Sequence, residues 1–197
     1  FRSAGNARHR AGDYAAAIEM YRQALRVDPG SVAALHDRAI TRSEFGDTAG
    51  AMADLDRAIA LAPSTAALYF QRGYTRVYPI DYRTPPTRYA PAQADAAMAD
   101  YAEAIRLDPR QQDARRGRFI LLVVRRDLRA ADDELVRWLA DAPPPGQGEA
   151  DLWRGVLLVI RGRDAEARAM LEPFLGRHPH SRAETERDLA ALRALRR

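Results

Sequence analysis

Hydrophobic and polar positions repeat along the chain with a long period. A large apolar or aromatic residue stands eight positions before each of five prolines, and these prolines close five similar segments. The prolines are Pro29, Pro63, Pro109, Pro143 and Pro179, and the large residues are Tyr21, Leu55, Tyr101, Leu135 and Leu171. Two intervals between prolines are 34 residues, and the other two, 46 and 36, exceed it by what we interpret as loop insertions. The pattern therefore predicts tandem repeats with a period of 34.

Small residues recur in the same register. An alanine lies twelve positions before each proline, and a second small position lies twenty-four before it, once a twelve-residue insertion in the third segment is allowed for. The alanines are Ala17, Ala51, Ala97, Ala131 and Ala167, and the second position holds Gly5, Ala39, Gly73, Phe119 and Gly155. Since glycine and alanine have little or no side chain, we expect two helices to approach closely at these positions.

A turn divides each segment into two amphipathic helices. Gly12, Gly46 and Gly162 stand seventeen positions before their prolines and favour a turn there. The small residues then let paired helices cross closely, while the large residues fill the space between neighbours. In the fourth segment Arg126 and Trp138 stand where small residues are expected, so the packing of that segment departs from the others.

This pattern resembles the tetratricopeptide repeat, a family in which small, glycine, aromatic and proline positions recur with a period of 34. The resemblance implies an all-α fold, an α-solenoid of about five helix-turn-helix units with a right-handed superhelix. The units are predicted at about 1–30, 31–64, 65–110, 111–145 and 146–179, with an insertion at 78–93 in the third. A capping helix is predicted at 180–197, because Ser181 and Glu184 form a capping box before a leucine stripe.

Composition excludes several classes of protein. The 31 basic residues are all Arg, and they alternate with the 27 acidic residues, so a net charge of +4 favours solvated helix faces over a nucleic-acid surface. The absence of Cys excludes disulfides, a thiol nucleophile and thiolate metal sites. Apolar stretches at 119–124 and 156–160 are far shorter than the roughly 20 residues of a membrane span. We expect a soluble, folded protein of unassigned compartment, and the Ala-rich, Lys-free composition favours a bacterial source.

Catalytic chemistry is not predicted. No phosphate loop, dinucleotide fingerprint, His-Glu-x-x-His or Gly-x-Ser-x-Gly motif occurs in the sequence. His178 and His180 flank Pro179 and are interpreted as polar loop residues rather than metal ligands. We therefore expect no enzymatic activity, no cofactor and no metal.

Charged residues also cluster on single predicted helices. Asp54 and Asp56 lie among Arg residues on a second helix and are interpreted as a solvated face. Arg115, Arg116 and Arg118 form a basic cluster, which we interpret as a solvated helix start, with a phosphate or carboxylate ligand as the alternative.

The resemblance implies that first helices of successive units line a concave groove, which in this family usually holds a peptide or helix of a partner protein. In this register the candidate partner-binding residues are Arg2, Asn6, His36, Phe70, Tyr74, Val77, Tyr78, Tyr82, Tyr89, Ile120 and Val124. The groove is polar in the first two units, aromatic in the third and apolar in the last two. Either the fold covers the apolar part internally, or a hydrophobic partner or a second copy does so.

One subgroup of the family clamps the C-terminal carboxylate of chaperones with Lys, Asn and Arg residues. Arg2 and Asn6 could serve in such a clamp. Asp37, Ala67 and Gln71 stand where the pattern requires Asn, Lys and Arg, so chaperone-tail binding is not predicted.

The predicted function is a scaffold that binds a protein partner of unknown identity. The 78–93 insertion holds four prolines and three tyrosines, so we expect no helix through it, and it is either a binding loop or a tolerated surface insertion. One alternative function is self-assembly through the apolar C-terminal units. Another is an accessory arm of a larger enzyme, suggested by a chain that starts at Phe1 without Met or a leader.

Overall fold

The computed structural model describes residues 1–78, 90–141 and 147–195, and these residues form eleven α-helices with no strand among them. The helices are α1 (Arg2–Arg10), α2 (Tyr14–Val27), α3 (Val32–Phe45), α4 (Thr48–Leu61), α5 (Ala66–Val77), α6 (Pro91–Leu107), α7 (Gln112–Val124), α8 (Leu128–Asp141), α9 (Gln147–Ile160), α10 (Asp164–Arg177) and α11 (Pro179–Leu195). The predicted all-α fold class is confirmed.

Two compact units divide the chain. The first unit comprises Phe1–Tyr78 and Pro91–Gln111 and contains α1 to α6. Within it α1 packs on α2, α3 on α4 and α5 on α6, and α3 also contacts α1 and α5. The second unit contains α7 to α11, where α7 packs on α8, α9 on α10, and α11 on both α9 and α10.

The turns between paired helices use the left-handed backbone region. The φ angles of Gly12, Gly46 and Gly162 are 76°, 92° and 80°, values that glycine adopts without a steric penalty. Arg126 occupies the same position between α7 and α8 with a φ of 61°, which a side chain makes costly. The prediction that the fourth segment departs from the others is therefore correct at this turn.

Aspartates after three of these turns begin the second helices. Asp13 accepts a hydrogen bond from the Ala16 backbone N–H at 3.2 Å, and Asp47 accepts one from Gly50 at 2.9 Å. Asp127 caps α8 in the same way. An acidic N-cap satisfies a free N–H and favours the helix start electrostatically, so the turn and the cap together fix where each second helix begins.

The repeated small positions are sites of close contact, as the sequence predicts. A Cβ atom on Gly155 of α9 would lie 2.6 Å from Leu171 of α10, and one on Gly73 of α5 would lie 3.0 Å from Tyr101 of α6. Gly5 follows the same rule. In these three pairs the large residue of the second helix thus packs directly on the backbone of the first helix.

Two helices begin one to a few residues before the positions expected from the sequence. The insertion was placed at 78–93, but α6 begins at Pro91, because proline suits the first position of a helix. The last helix was expected to open at a Ser181 capping box, but α11 begins at Pro179, so Ser181 is already inside the helix. The same proline preference explains both differences.

Candidate functional site

The neighbouring helices α1, α3 and α5 of the first unit share an accessible side, which we call the first-helix face. Arg2 of α1 pairs with Asp37 of α3 at 2.6 Å. A second contact between the two helices lies nearer their C-terminal ends, where His9 Nδ1 is 3.0 Å from the Thr41 hydroxyl. These contacts hold α1 and α3 in a fixed register.

The N-terminal end of this face is polar. The Asn6 amide and the Tyr21 hydroxyl lie 2.6 Å apart and are hydrogen bonded, and burial is the main cause that raises the pKa of Tyr21. A shallow pocket of about 230 Å³ lies here, lined by Asn6, His9, Arg10, Tyr21, Asp37 and Ile40. His36 is half-buried on α3, and its burial lowers its pKa from 6.5. The pocket offers charged and hydrogen-bonding groups over a small apolar floor.

The other end of the face is aromatic. The ring centroids of Phe70 and Tyr74 are 5.9 Å apart, and those of Tyr74 and Tyr78 are 5.0 Å apart, so the three side chains form a row along α5. Phe70 also stacks on the buried Tyr101 at 6.2 Å, which anchors the row to α6. Phe70 and Tyr74 are half-buried, and Tyr78 is 43% exposed. A row of rings supported from below and open above is suited to contact another molecule.

The predicted partner-binding residues fall in different environments. Arg2, Asn6, His36, Phe70, Tyr74 and Tyr78 all belong to the first unit and are at least partly accessible. Val77 and Val124 were placed on the partner-facing side, but they are 0% and 3% exposed and belong to the core. Ile120 is half-buried on α7 in the second unit. Tyr82 and Tyr89 lie outside the described residues.

The apolar helices of the second unit are covered internally. On α7 the run Leu121–Val124 is buried, and on α9 so are Val156, Val159 and Ile160. Trp153 of α9 contacts two further buried rings, Phe119 at 5.5 Å and Trp138 at 4.8 Å. Of the two explanations left open for this apolar stretch, the structure supports internal packing, in which α11 takes part.

The interpretation of Asp54 as part of a solvated face was wrong. Asp54 is 4% exposed and accepts hydrogen bonds from Arg38 at 2.5 and 2.8 Å and from Arg42 at 2.8 Å. Its neighbour Asp56 is exposed and pairs with Arg72. The carboxylate is buried because two guanidinium groups from α3 supply the compensating charge.

The same arrangement recurs in the next helix pair. Asp100 of α6 is 4% exposed and pairs with Arg72 at 2.6 Å and Arg76 at 2.8 Å from α5. Asp54 and Asp100 both stand nine positions before a repeated proline, and Glu134 of α8, which pairs with Arg118, does so as well. This common register was the sequence signal that could have identified the buried pairs.

The clustered residues Arg115, Arg116 and Arg118 lie in different environments. Arg115 is buried, Arg116 pairs with Asp113, and Arg118 pairs with Glu134, so the three side chains are engaged separately.

Across residues 1–78, 90–141 and 147–195, no three His, Cys, Asp or Glu side chains are grouped to hold a metal ion. In the same ranges no helix has the length and apolar character needed to cross a bilayer.

Paired helices with a repeated left-handed turn and repeated close contacts define an α-helical repeat protein. Residues 5–74 match the family model of the tetratricopeptide repeat. Over these residues the chain contains tetratricopeptide repeats.

Curated relatives match parts of the chain. Tetratricopeptide repeat protein 36 of Bos taurus is 44% identical over 52 residues, which cover 26% of this chain and 28% of the relative. Hsp70-Hsp90 organizing protein 3 of Arabidopsis thaliana is 28% identical over 112 residues, which cover 57% of this chain and 18% of the relative. The chain thus spans less than a third of the length of either protein.

Solved structures share the fold over more of the chain. A thermophilic tetratricopeptide repeat protein of Thermus thermophilus has a TM-score of 0.66 and 23% identity, covering 97% of this chain and 96% of its own. YrrB, described as having an unusual peptide-binding site, has a TM-score of 0.59 and 17% identity, covering 90% and 84%. The first repeat domain of Spaghetti, solved with an HSP90 peptide, has a TM-score of 0.50 and 24% identity, covering 68% and 90%.

Proposed function

We propose that the chain is a protein-interaction scaffold whose first-helix face in the first unit binds a peptide or short helix of a partner protein. The observation that carries this proposal is the row of Phe70, Tyr74 and Tyr78 on α5, which is supported by Tyr101 yet open to solvent. Aromatic side chains of this kind dominate the energetics of many protein interfaces. Of the solved structures named above, the first repeat domain of Spaghetti is bound to an HSP90 peptide, and YrrB has an unusual peptide-binding site.

A chaperone tail is not the partner we propose. The cation that could receive its carboxylate, Arg2, is already paired with Asp37 at 2.6 Å. Gln71, at the position where the clamp requires Arg, is buried and 3.4 Å from the Thr75 hydroxyl. A bound carboxylate would have to displace Asp37 and would find no second cation at position 71.

We do not favour self-assembly through the apolar C-terminal helices. Of the aliphatic side chains that were to form the contact, Ile120 is half-buried and the others are buried in the fold, namely Val123, Val124, Val156, Val159 and Ile160. In the described part of the second unit, the large hydrophobic side chains with substantial exposure are Val136 and Met170, which stand apart on α8 and α10. We therefore base the proposal on the first unit.

The test is a selection from a library of short random peptides on the immobilised full chain, followed by fluorescence anisotropy with the enriched peptides. Replacing Tyr74 and Tyr78 with Ala should raise Kd by roughly tenfold or more, because two anchors are lost. Tyr69→Ala is the matched control, since Tyr69 lies on the same helix but hydrogen bonds back to the Pro63 carbonyl. Equal binding by the double variant and by Tyr69→Ala would contradict the proposal.

A further inference from the structure

Glu44, the penultimate residue of α3, is bordered by aromatic side chains from other elements of the first unit. Its carboxylate lies 3.7 Å from His9 Nε2 of α1. The Tyr14 ring at the start of α2 lies 5.5 Å from the His9 ring. Tyr78 follows α5, the helix that packs on α3, so it stands at the same end of α5 as Glu44 does of α3. We call His9, Tyr14 and Glu44 the Glu44 cage.

The charge of Glu44 is available at the surface. Its side chain is 37% exposed, and among the ion pairs of the described residues it has one partner, His9. Arg42, two residues earlier on α3, is engaged by the buried Asp54 and by Asp47 instead. A carboxylate without an Arg partner is unusual in this chain, where most acidic side chains on the helices are paired with one.

The field of Glu44 reaches the surrounding rings. Its negative charge is the largest cause that raises the pKa of the Tyr14 hydroxyl, and a hydrogen bond between the two side chains is the next. Both effects mean that additional negative charge is disfavoured at this position. A positive charge is favoured there for the same reason, and the aromatic rings add the attraction of their π systems for cations.

We propose that the Glu44 cage binds a basic side chain, Arg or Lys, of the partner peptide. The inference rests on the function proposed above and specifies its partner. Tyr78, at the corresponding end of the neighbouring α5, belongs to the aromatic row, in which its ring lies 5.0 Å from that of Tyr74. The preferred peptide therefore presents a basic residue close to an apolar or aromatic residue, the first for Glu44 and the second for Phe70 and Tyr74.

The test uses two libraries of short random peptides that differ at one fixed central residue, arginine in one and its uncharged analogue citrulline in the other. The intact chain should enrich the arginine library, and the enriched peptides should bind about tenfold more weakly when their arginine is changed to citrulline. In Glu44→Gln this preference should fall to near unity. Glu19→Gln is the control, because Glu19 is paired with Arg22 on α2 away from the cage, and it should retain the preference.

The outcomes separate this inference from the function on which it rests. Peptides that need Tyr74 and bind equally with arginine or citrulline would overturn the basic-residue inference and leave the proposed function standing. A preference for arginine that persists in Glu44→Gln would also overturn it, since another group of the protein would then bind the arginine. If no peptide binding depends on Tyr74 and Tyr78, both the function and this inference fail.

Discussion

Helices α5 and α7 hold equivalent positions relative to the repeated prolines, but corresponding side chains on them differ in exposure. On α5, Phe70 and Tyr74 are half-buried and Tyr78 is exposed. On α7, Ile120 and Val124 occupy the positions of Tyr74 and Tyr78, and Ile120 is half-buried while Val124 is buried. The same repeat position can therefore be exposed in one unit and buried in another, as Tyr78 and Val124 are.

The two units also differ in how they stabilise their helix pairs. In the first, Asp54 and Asp100 each receive two guanidinium groups, so polar contacts tie α3 to α4 and α5 to α6. In the second, the pair of Glu134 and Arg118 lies in the same register, and Trp138 contacts Trp153 from the position that holds Ala58 and Ala104 in the first unit. A buried ion pair adds little net stability, but removing one partner leaves an uncompensated charge in the core.

The largest effect we expect comes from breaking a buried ion pair of the first unit. Asp54→Ala leaves Arg38 and Arg42 without their carboxylate and should lower the free energy of unfolding by about 3–5 kcal/mol. Asp56→Ala on the same helix removes an exposed pair with Arg72 and should cost at most about 1 kcal/mol. Urea unfolding of both variants checks this, and equal losses would show that burial of Asp54 has no energetic consequence.

A smaller effect is expected from overpacking the second unit. In Gly155→Ala the new methyl group would meet Leu171 at 2.6 Å, and the clash should cost about 1–3 kcal/mol. Gly176→Ala in α10 is the matched control, since nothing lies within 4 Å of its added Cβ. That control should gain up to about 1 kcal/mol from helix propensity. Thermal unfolding that places both variants on the same side of wild type would contradict the close contact.

The strained turn of the second unit gives an effect of opposite sign. Arg126 has a φ of 61° where the other described turns of this kind use glycine, so Arg126→Gly should stabilise the fold by about 0.5–1 kcal/mol. The same change at the exposed Arg129 inside α8 should destabilise it by about 1 kcal/mol. Denaturant midpoints of the two variants should move in opposite directions, and a loss of stability in Arg126→Gly would rule out strain at this turn.

The smallest effect concerns pH and the first-helix face. Burial lowers the pKa of His36 below its unfolded value of 6.5, so the unfolded chain binds more protons near and below that pH. His36 therefore reduces stability as the pH falls through 6.5. In His36→Gln, the decrease in unfolding free energy between pH 7.5 and 5.5 should be smaller than in wild type. Identical pH dependence of the two proteins would contradict the burial of His36.

Much of the fold could be predicted from the sequence because its main determinants are local. The positions of Gly5, Gly73 and Gly155 relative to Tyr21, Tyr101 and Leu171 identified the helix contacts, since register alone brings these residues together. The helix starts at Pro91 and Pro179 were missed because proline was treated only as a helix breaker. The division of the array into five units and a cap stays a prediction.

Less of the candidate site could be predicted, because exposure depends on packing between helices that are distant in sequence. Val77 and Tyr78 are adjacent, yet the first is fully buried and the second is 43% exposed. The contact of Glu44 with His9 could not be predicted for a similar reason, since the two approach each other only when α1 and α3 pack together. A register argument identifies the helix face but does not separate its core positions from its accessible ones.

The central claim is that the first unit presents an accessible binding face, whereas the second unit packs most of the apolar side chains of α7 and α9 into its core. Hydrogen–deuterium exchange of the full chain, with and without a peptide selected on it, tests this most directly. We expect the peptide to increase amide protection in α1, α3 and α5 and to leave α7 and α9 unchanged. Added protection concentrated in α7 and α9, with none in the first-helix face, would contradict the account.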